Sequence, residues 1–154
     1  LLEVDIDHFK QVNDDFGHAT GDLVLRAVAN VLAVRVRGDD FVARVGGEEF
    51  IVGCAGGDPD VASQLGERLR ASVAGLQMPM GVPGRSAGHV NLPKCTVSVG
   101  ISTPFSDLAG RSRAMREADA ALYAAKSRGR NLVVAFDESL TLSPGTMPVP
   151  LFQT

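Results

Sequence analysis

The sequence predicts an α/β fold: a mixed, largely antiparallel central sheet flanked by helices, on the ferredoxin-like βαββαβ theme with one αβ unit appended. Leu1–Ile6 alternates apolar and acidic residues, which predicts a strand with one buried face that ends in carboxylates. Residues 41–45 and 50–54 predict strands joined at Gly46-Gly47, because paired glycines accept the positive φ angles of a tight hairpin. Segments with helical spacing of apolar residues lie between the strands.

The first half of the chain is completed by a loop and a helix. Residues 8–20 are rich in Asn, Asp and Gly, which predicts a loop. Thr20 or Asp22 is then the expected N-cap of a helix that ends at Gly38. The apolar stripe of this helix consists of Leu25, Val28 and Leu32.

The second half continues with a helix that starts at Asp58-Pro59 and ends at Gly75. The remaining predicted elements are a proline- and glycine-rich loop at 78–93, a strand at 96–102, a helix at 112–127 and a strand at 132–136. We expect one domain over residues 1–137, followed by a flexible tail at 138–154 that holds three prolines.

Composition narrows the possible partners. The 154 residues carry a net charge of −3 with a pI near 5.5, which argues against a general electrostatic grip on nucleic acid. No apolar run reaches the roughly 18 residues of a membrane span, so we expect no direct membrane insertion by this chain. Two cysteines, Cys54 and Cys95, are too few for a zinc site or a disulfide scaffold.

Three carboxylates are candidates for metal chemistry. Asp5 ends the first strand, and Glu48 and Glu49 follow the double glycine. A hairpin tip beside the end of a central strand would bring them together, and Mg²⁺ prefers a few carboxylate oxygens plus substrate phosphates. The alternative is that Glu48 and Glu49 are solvated turn charges.

Several separated motifs resemble the GGDEF family of diguanylate cyclases. They are Asp5 to Lys10, Asn13-Asp14, Phe16 to His18, Gly21-Asp22, Arg44 to Phe50, Val97 to Ser102, Ala118 to Lys126 and Gly129 to Asn131. Together they span Leu1 to about Phe136 in the family's order. The resemblance implies a nucleotide-cyclase-like fold with a ferredoxin-like sheet and flanking helices, in agreement with the ferredoxin-like arrangement inferred from the element order.

The resemblance also implies an activity. Two GTP molecules would condense to cyclic di-GMP with loss of two pyrophosphates, across a homodimer in which each domain binds one GTP. Mg²⁺, or Mn²⁺ in its place, would be held by Asp5, Glu48 and the Ile6 carbonyl. Glu49 would be a further metal ligand or the general base, so Asp5, Glu48 and Glu49 form the expected catalytic set.

The same resemblance implies a GTP-binding set. His8 and Phe9 would offer backbone N–H groups to the phosphates, with Lys10 nearby, and Lys126 and Arg130 would add cationic side chains. Asn13 and Asp22 would read the guanine edge, and Leu25 would line the base pocket. Each has a plainer alternative: Lys126 and Arg130 as charges at a helix C-terminus, Asp22 as a helix cap and Leu25 as a core residue.

A second, inhibitory site is implied for the product. Arg37 and Asp40 lie at the family's RxxD position relative to the double glycine, and Arg68 falls where the family has a secondary arginine. An arginine fork can grip guanine O6 and N7, and a carboxylate can accept from the amino edge. The alternative is a basic helix end followed by an Asp turn, a pattern that arises often by chance.

Three functional hypotheses remain open on the sequence. The first is an active cyclase, since the motif residues are intact. The second is a catalytically silent module that senses GTP or binds cyclic di-GMP. The third is a cyclase of relaxed base choice. The family's usual stretch before the first strand is absent, so we expect a piece of a longer, cytoplasmic or membrane-anchored protein with an upstream sensor domain.

Overall fold

A five-stranded sheet forms the centre of the molecule. The computed structural model describes residues 1–77 and 94–142. The strands are β1 (Leu2–Ile6), β2 (Phe41–Gly46), β3 (Glu49–Gly53), β4 (Val97–Ile101) and β5 (Val133–Ala135). Their order across the sheet is β2-β3-β1-β4-β5, and every pair is antiparallel except β4–β5. The predicted mixed sheet of the ferredoxin-like class is confirmed, with β1 at its centre.

In the described ranges four α-helices flank this sheet, and the first of them packs mainly on the second. They are α1 (Phe9–Phe16), α2 (His18–Arg35), α3 (Pro59–Ala74) and α4 (Leu108–Ser127). The predicted start of α3 is confirmed: the Asp58 carboxylate accepts from the backbone N–H groups of Asp60 and Val61, and Pro59 occupies the first turn. The predicted end is confirmed as well, because the Gly75 N–H caps the helix by donating to the Ala71 carbonyl.

The loop predicted at 8–20 is wrong. Residues 9–16 form α1, which buries Phe9 and Val12, and Gly17 separates it from α2 with a φ of 83°. Thr20 and Asp22 therefore lie inside α2 and are not caps; the Thr20 hydroxyl donates back to the Phe16 carbonyl. The helix is short and mostly polar, so its composition predicts a loop, but the burial of two apolar side chains in the core stabilises it.

Two further helix ends differ from the prediction. Helix α2 ends at Arg35, three residues before the expected stop at Gly38, because Val36 turns to an extended conformation. Helix α4 begins at Leu108 and not near Ser112, since the Asp107 side chain caps it through the Gly110 N–H.

The hairpin between β2 and β3 is confirmed, but its turn is displaced by one residue. Gly46 pairs with Glu49, so the turn residues are Gly47 and Glu48. Neither Gly46 nor Gly47 has a positive φ, so the conformational reason expected for the double glycine is wrong. The Arg44 guanidinium instead closes the turn by donating twice to the Gly47 carbonyl.

Strand β1 is covered on both faces, which corrects the expectation of one buried face. Leu2, Val4 and Ile6 join the core cluster formed with α2 and α3, while the opposite face carries Asp5 at 5% exposure. Helix α4 packs on that opposite face. It approaches closely because β4 has Gly100 there: a Cβ atom would lie 2.1 Å from the Ala118 carbonyl oxygen.

The C-terminal residues after β5 begin with a 3₁₀ turn at Glu138–Leu142, and Leu140 packs against the small cluster formed by α4 and Val134. The predicted loop at 78–93 and the rest of the predicted tail lie outside the described residues. None of the helices in the described ranges is long and apolar enough to cross a membrane.

Candidate active site

The end of β1 and the tip of the β2–β3 hairpin lie side by side. Asp5 is the cross-strand partner of Glu49, so their side chains share one face of the sheet. The Ile6 N–H donates to the Glu48 carbonyl oxygen over 3.3 Å, which joins the strand end to the turn. The antiparallel pairing of β1 with β3 therefore brings the three predicted carboxylates, Asp5, Glu48 and Glu49, to the end of β1 and the start of β3. We call this region the acidic edge.

Asp5 is held in a strongly acidic environment. Burial is the main cause that raises its pKa, the Glu48 carboxylate raises it further, and the Lys126 ammonium opposes both. Lys126 Nζ lies 2.8 Å from Asp5 Oδ2. Lys126 thus places a positive charge beside the buried Asp5 carboxylate, in a region that is otherwise rich in carboxylates. Because Asp5 is shielded from water, this ion pair is stronger than one at the surface.

Glu3 lies two residues before Asp5 on the same face of β1 and adds to the negative charge there. The pKa of Glu3 is raised to about 7, mainly by burial and further by the Asp119, Glu49 and Asp5 carboxylates, against the lowering effect of Lys126. Its Oε2 atom is buried and has no hydrogen-bond partner among the residues that the structure describes. The face of the sheet between β1 and α4 is thus a region of excess carboxylate in which added positive charge is favoured.

The carboxylates do not form a ready-made ion cage. Across residues 1–77 and 94–142, no set of three or more His, Cys, Asp or Glu side chains is arranged to hold a metal ion. The donor set nevertheless suits Mg²⁺ or Mn²⁺, because it consists of oxygen ligands: two neighbouring carboxylates, Asp5 and Glu48, and the Ile6 carbonyl. Mg²⁺ is commonly bound by one or two carboxylates and completed by substrate phosphates and water.

The predicted phosphate-binding residues follow directly after these ligands. His8 is the N-cap of α1 with a left-handed φ of 57°, and Phe9 and Lys10 form the first turn. The free backbone N–H groups at a helix start are suited to anions. His8 and Lys10 are exposed, whereas the Phe9 ring is buried and anchors the turn.

The predicted base-recognition residues lie where α1 and α2 meet. The Asn13 side chain rests against Gly21, since a Cβ atom there would lie 2.0 Å from Asn13 Oδ1. Asp22 comes next on α2 and is exposed, and its alternative role as a helix cap is wrong because α2 starts four residues earlier. Leu25 is 7% exposed and belongs to the core cluster, so its packing role is evident.

Arg130 lies in the turn after α4 and is exposed, with a left-handed φ of 62°. Lys126 is in the last turn of α4, in agreement with the helix-end placement, but its ammonium engages Asp5. Sequence reasoning missed this ion pair, and it also missed Asp7, which is 6% exposed and accepts three hydrogen bonds. The signal for Asp7 was its position between the candidate metal and phosphate ligands.

The predicted inhibitory residues also meet, at the end of the β2–β3 hairpin opposite its turn. Arg37, Asp40 and Arg68 line one cavity of about 100 Å³ together with Cys54. Asp40 accepts from the Arg37 N–H over 3.0 Å and the Ala55 N–H over 2.9 Å. Burial acts to raise the pKa of Asp40, but these N–H groups and the two guanidinium charges hold it below its usual range.

Comparison with known proteins gives a consistent result. Residues 1–132 match the family described as "Diguanylate cyclase, GGDEF domain". The chain is 41% identical over 137 residues to the probable diguanylate cyclase DgcT of Escherichia coli, covering 89% of this chain and 29% of the relative. It is 38% identical over 148 residues to diguanylate cyclase A of Treponema denticola, covering 96% and 36%.

Solved structures agree. The GGDEF domain of DgcB from Caulobacter crescentus, in complex with c-di-GMP, superposes with a TM-score of 0.69 at 39% identity, covering 87% of this chain and 75% of that one. The active GGEEF domain of a diguanylate cyclase from Vibrio cholerae gives 0.75 at 31% identity, covering 89% and 81%.

An acidic strand end beside a double-glycine hairpin, on a mixed five-stranded sheet, defines a GGDEF-type domain. The chain belongs to the diguanylate cyclase GGDEF domain family. It spans about a third or less of the two curated relatives described above.

Proposed function

We propose that this chain condenses two GTP molecules into cyclic di-GMP and two pyrophosphates. The observation that carries the proposal is the placement of buried Asp5 opposite Glu49 and beside Glu48, directly before the N-terminus of α1. This arrangement puts acidic groups that favour a cation next to backbone N–H groups that favour phosphate. A nucleoside triphosphate with its divalent cation satisfies both requirements.

Asp5, Glu48 and the Ile6 carbonyl are the residues that would hold the ion. When bound, Mg²⁺ or Mn²⁺ neutralises the triphosphate, makes the ribose 3′-hydroxyl more acidic and stabilises the departing pyrophosphate. The raised pKa of Asp5 supports this assignment, because a divalent cation would offset the burial and the repulsion that make its carboxylate costly.

The chain's own donors would position the phosphates. The N–H groups of His8 and Phe9 bind the terminal phosphates at the start of α1, and the Lys10 and Arg130 side chains add positive charge from two sides. Lys126 serves the same end, since the Asp5–Lys126 contact keeps its ammonium at the acidic edge. Holding both reactants in line is the main catalytic contribution expected for such a reaction.

Guanine selection would fall to Asn13 and Asp22. A carboxylate accepts from both N1–H and the 2-amino group of guanine, whereas adenine offers an acceptor at N1 and no 2-amino group. The contact of the Asn13 side chain with Gly21 places it beside Asp22 on the neighbouring helix. Leu25, one turn further on, contributes to the wall beneath the base from within the core.

Bond formation needs a second copy of the domain. Each 3′-oxygen attacks the α-phosphorus of the opposite nucleotide, the bond from that phosphorus to the pyrophosphate breaks, and the hydroxyl proton passes to a base. Glu49 is the proposed base, because it lies opposite Asp5 and is only half-buried. One chain supplies one guanine-reading pair, so a product with two guanines requires a homodimer.

Incubation of the concentrated protein with GTP and Mg²⁺ tests this proposal. We expect cyclic di-GMP and pyrophosphate in a 1:2 ratio, and loss of product in Glu49→Gln without a change in the thermal unfolding midpoint. Asp60→Asn, an exposed carboxylate in the first turn of α3, is the matched control and should keep full activity. Absence of product from the wild-type dimer would overturn the proposal.

The cavity lined by the predicted inhibitory residues favours one alternative, a catalytically silent module that binds cyclic di-GMP. Arg37, Asp40 and Arg68 line that cavity independently of the acidic edge at Asp5. In an active enzyme we propose that they bind the product and lower activity by feedback. In a silent module the same residues would bind cyclic di-GMP with no turnover of GTP, so the assay above distinguishes the two when it is paired with a binding titration.

A further inference from the structure

The Asp7 carboxylate joins three segments of the chain. Its Oδ1 atom accepts from the Ser98 hydroxyl over 2.7 Å, and its Oδ2 atom accepts from the Thr96 hydroxyl over 2.7 Å and from the Asn131 N–H over 3.0 Å. The Asp7 N–H also donates to the Thr96 carbonyl. Asp7 is therefore fixed to the start of β4 and to the turn after α4 at once.

That turn has an unfavourable backbone conformation. Gly129, Arg130 and Asn131 have φ angles of 117°, 62° and 48°, and residues with a side chain rarely adopt such values. Such a turn persists only where its surroundings determine it. Two hydrogen bonds besides the one that the Asn131 N–H donates to Asp7 contribute: the Arg130 N–H donates to the Ala125 carbonyl, and the Arg70 guanidinium donates to Asn131 Oδ1.

Asp7 stands between the two halves of the proposed triphosphate site. It follows Ile6 and precedes His8, and its carboxylate reaches the residue next to Arg130. The Asp7 side chain thus links the N-terminus of α1, which is proposed to bind phosphate, to the turn that carries Arg130. The carboxylate is nearly inaccessible to water, so it acts through these bonds and not through contact with solvent.

We propose that Asp7 is a positioning residue that sets Arg130 relative to the N-terminus of α1. This inference rests on the proposed function, because Arg130 is assigned to phosphate there. Asparagine at position 7 would keep the shape but carries no charge and has one acceptor oxygen in place of two. The Ser98 and Thr96 hydroxyls can rotate to suit the amide, whereas the Asn131 N–H cannot and keeps only a weaker, uncharged acceptor, so the turn is the part that loosens.

Binding of 3′-deoxy-GTP with Mg²⁺ tests the inference without turnover, since this nucleotide lacks the attacking hydroxyl. We expect Asp7→Asn to raise the Kd of this nucleotide about tenfold, because the hydrogen bond that holds the turn loses its charged acceptor. Hydrogen exchange should quicken at the amides of 129–131. The double variant Asp7→Asn/Arg130→Ala should bind no more weakly than Arg130→Ala, because Asp7 acts through Arg130.

Glu117→Gln is the matched control. Glu117 is another buried carboxylate, and it accepts from the Thr103 N–H and hydroxyl beyond the opposite end of β4. Its substitution should lower the thermal midpoint as Asp7→Asn does, yet leave the Kd for 3′-deoxy-GTP unchanged. A purely structural role for Asp7 would instead make the two variants alike.

The outcomes distinguish a failure of the proposed function from a failure of the positioning role of Asp7. Wild-type protein that does not bind 3′-deoxy-GTP overturns the proposed function and this inference with it. Wild-type protein that binds, with an equally tight Asp7→Asn variant or with additive losses in the double variant, overturns the positioning role alone. Should Asp7→Asn fail to fold, Thr96→Val takes its place, and faster exchange at 129–131 with an unchanged Kd contradicts the inference equally.

Discussion

Asp5 shows how one residue combines opposing energetic demands. Its carboxylate is nearly buried, is repelled by Glu48 and is held by Lys126 at 2.8 Å. Burial of a charge destabilises the fold unless a partner offsets it, and one ammonium must here serve a region that also contains Glu3 and Asp119. Such a residue is expected to serve ligand binding more than stability.

Substitution of Asp5 by Asn separates these two roles. We expect kcat/KM for GTP to fall by about 100-fold or more, because a metal ligand is lost. The thermal unfolding midpoint should be unchanged or higher, since the uncharged amide avoids the burial penalty that raises the pKa of Asp5. A variant with unchanged midpoint and unchanged activity would contradict the assignment.

Glu3 gives a pH-dependent prediction. Its pKa is raised to about 7 in the folded chain from 4.5, so the protonated form is favoured on folding. The resulting stabilisation is fully present below about pH 4.5 and is lost as pH rises through 7. The wild-type midpoint should therefore fall between pH 5.5 and about 8.

Glu3→Gln should flatten that fall. The groups facing position 3 are Asp119, Glu49, Asp5 and Lys126, and the variant leaves all four in place. Differential scanning calorimetry across this range, without added metal, measures the effect. An equally steep fall in Glu3→Gln would show that another group is responsible.

At the scale of elements, those with a regular local pattern were predictable, and those stabilised by tertiary contacts or by a side chain elsewhere in the hairpin were not. The alternation in β1 and the Asp58-Pro59 start of α3 are local signals, and both elements formed where they were expected, although β1 is covered on both faces and not on one. Helix α1 was missed because it is short and polar and is stabilised by tertiary burial of Phe9 and Val12. The turn at Gly47-Glu48 was shifted because Arg44, and not a left-handed glycine, closes it.

The packing of α4 on the sheet depends on one missing side chain. Gly100→Ala would place a Cβ atom 2.1 Å from the Ala118 carbonyl and 2.3 Å from the Leu122 nitrogen, and backbone atoms cannot rotate away. We expect a loss of about 2–3 kcal/mol in the free energy of unfolding, measured in urea.

Gly38→Ala is the control for this substitution. Nothing lies within 4 Å of a Cβ atom at position 38, and its φ is outside the left-handed region. Its free energy of unfolding should stay within about 1 kcal/mol of wild type. Similar losses in both variants would contradict a specific contact between α4 and β4.

At the scale of the whole molecule, the two proposed ligand sites lie at opposite ends of the β2–β3 hairpin. The candidate catalytic carboxylates could be grouped from sequence because β1 and β3 are neighbours in the expected topology. The Lys126–Asp5 pair and the role of Asp7 could not, since each joins residues about 90 or more positions apart. Only the folded chain brings such residues into contact.

The proposed feedback through the cavity at Arg37 is testable with the intact chain. Arg37→Ala should raise the final level of cyclic di-GMP without changing the initial rate, because Arg37 lines the cavity with Asp40 and Arg68 but is distant in the fold from the acidic edge. Progress curves with added cyclic di-GMP measure this, and unchanged inhibition in the variant would refute the assignment.

The most direct test is the position of the ion itself. Crystals grown with Mn²⁺ and 3′-deoxy-GTP would show the ion by its anomalous scattering. Our account predicts a peak within about 2.5 Å of oxygens from Asp5, Glu48 and the Ile6 carbonyl, and also of the triphosphate. A nucleotide bound at the start of α1 with the ion elsewhere, or with Asp5 still paired only to Lys126, would contradict it.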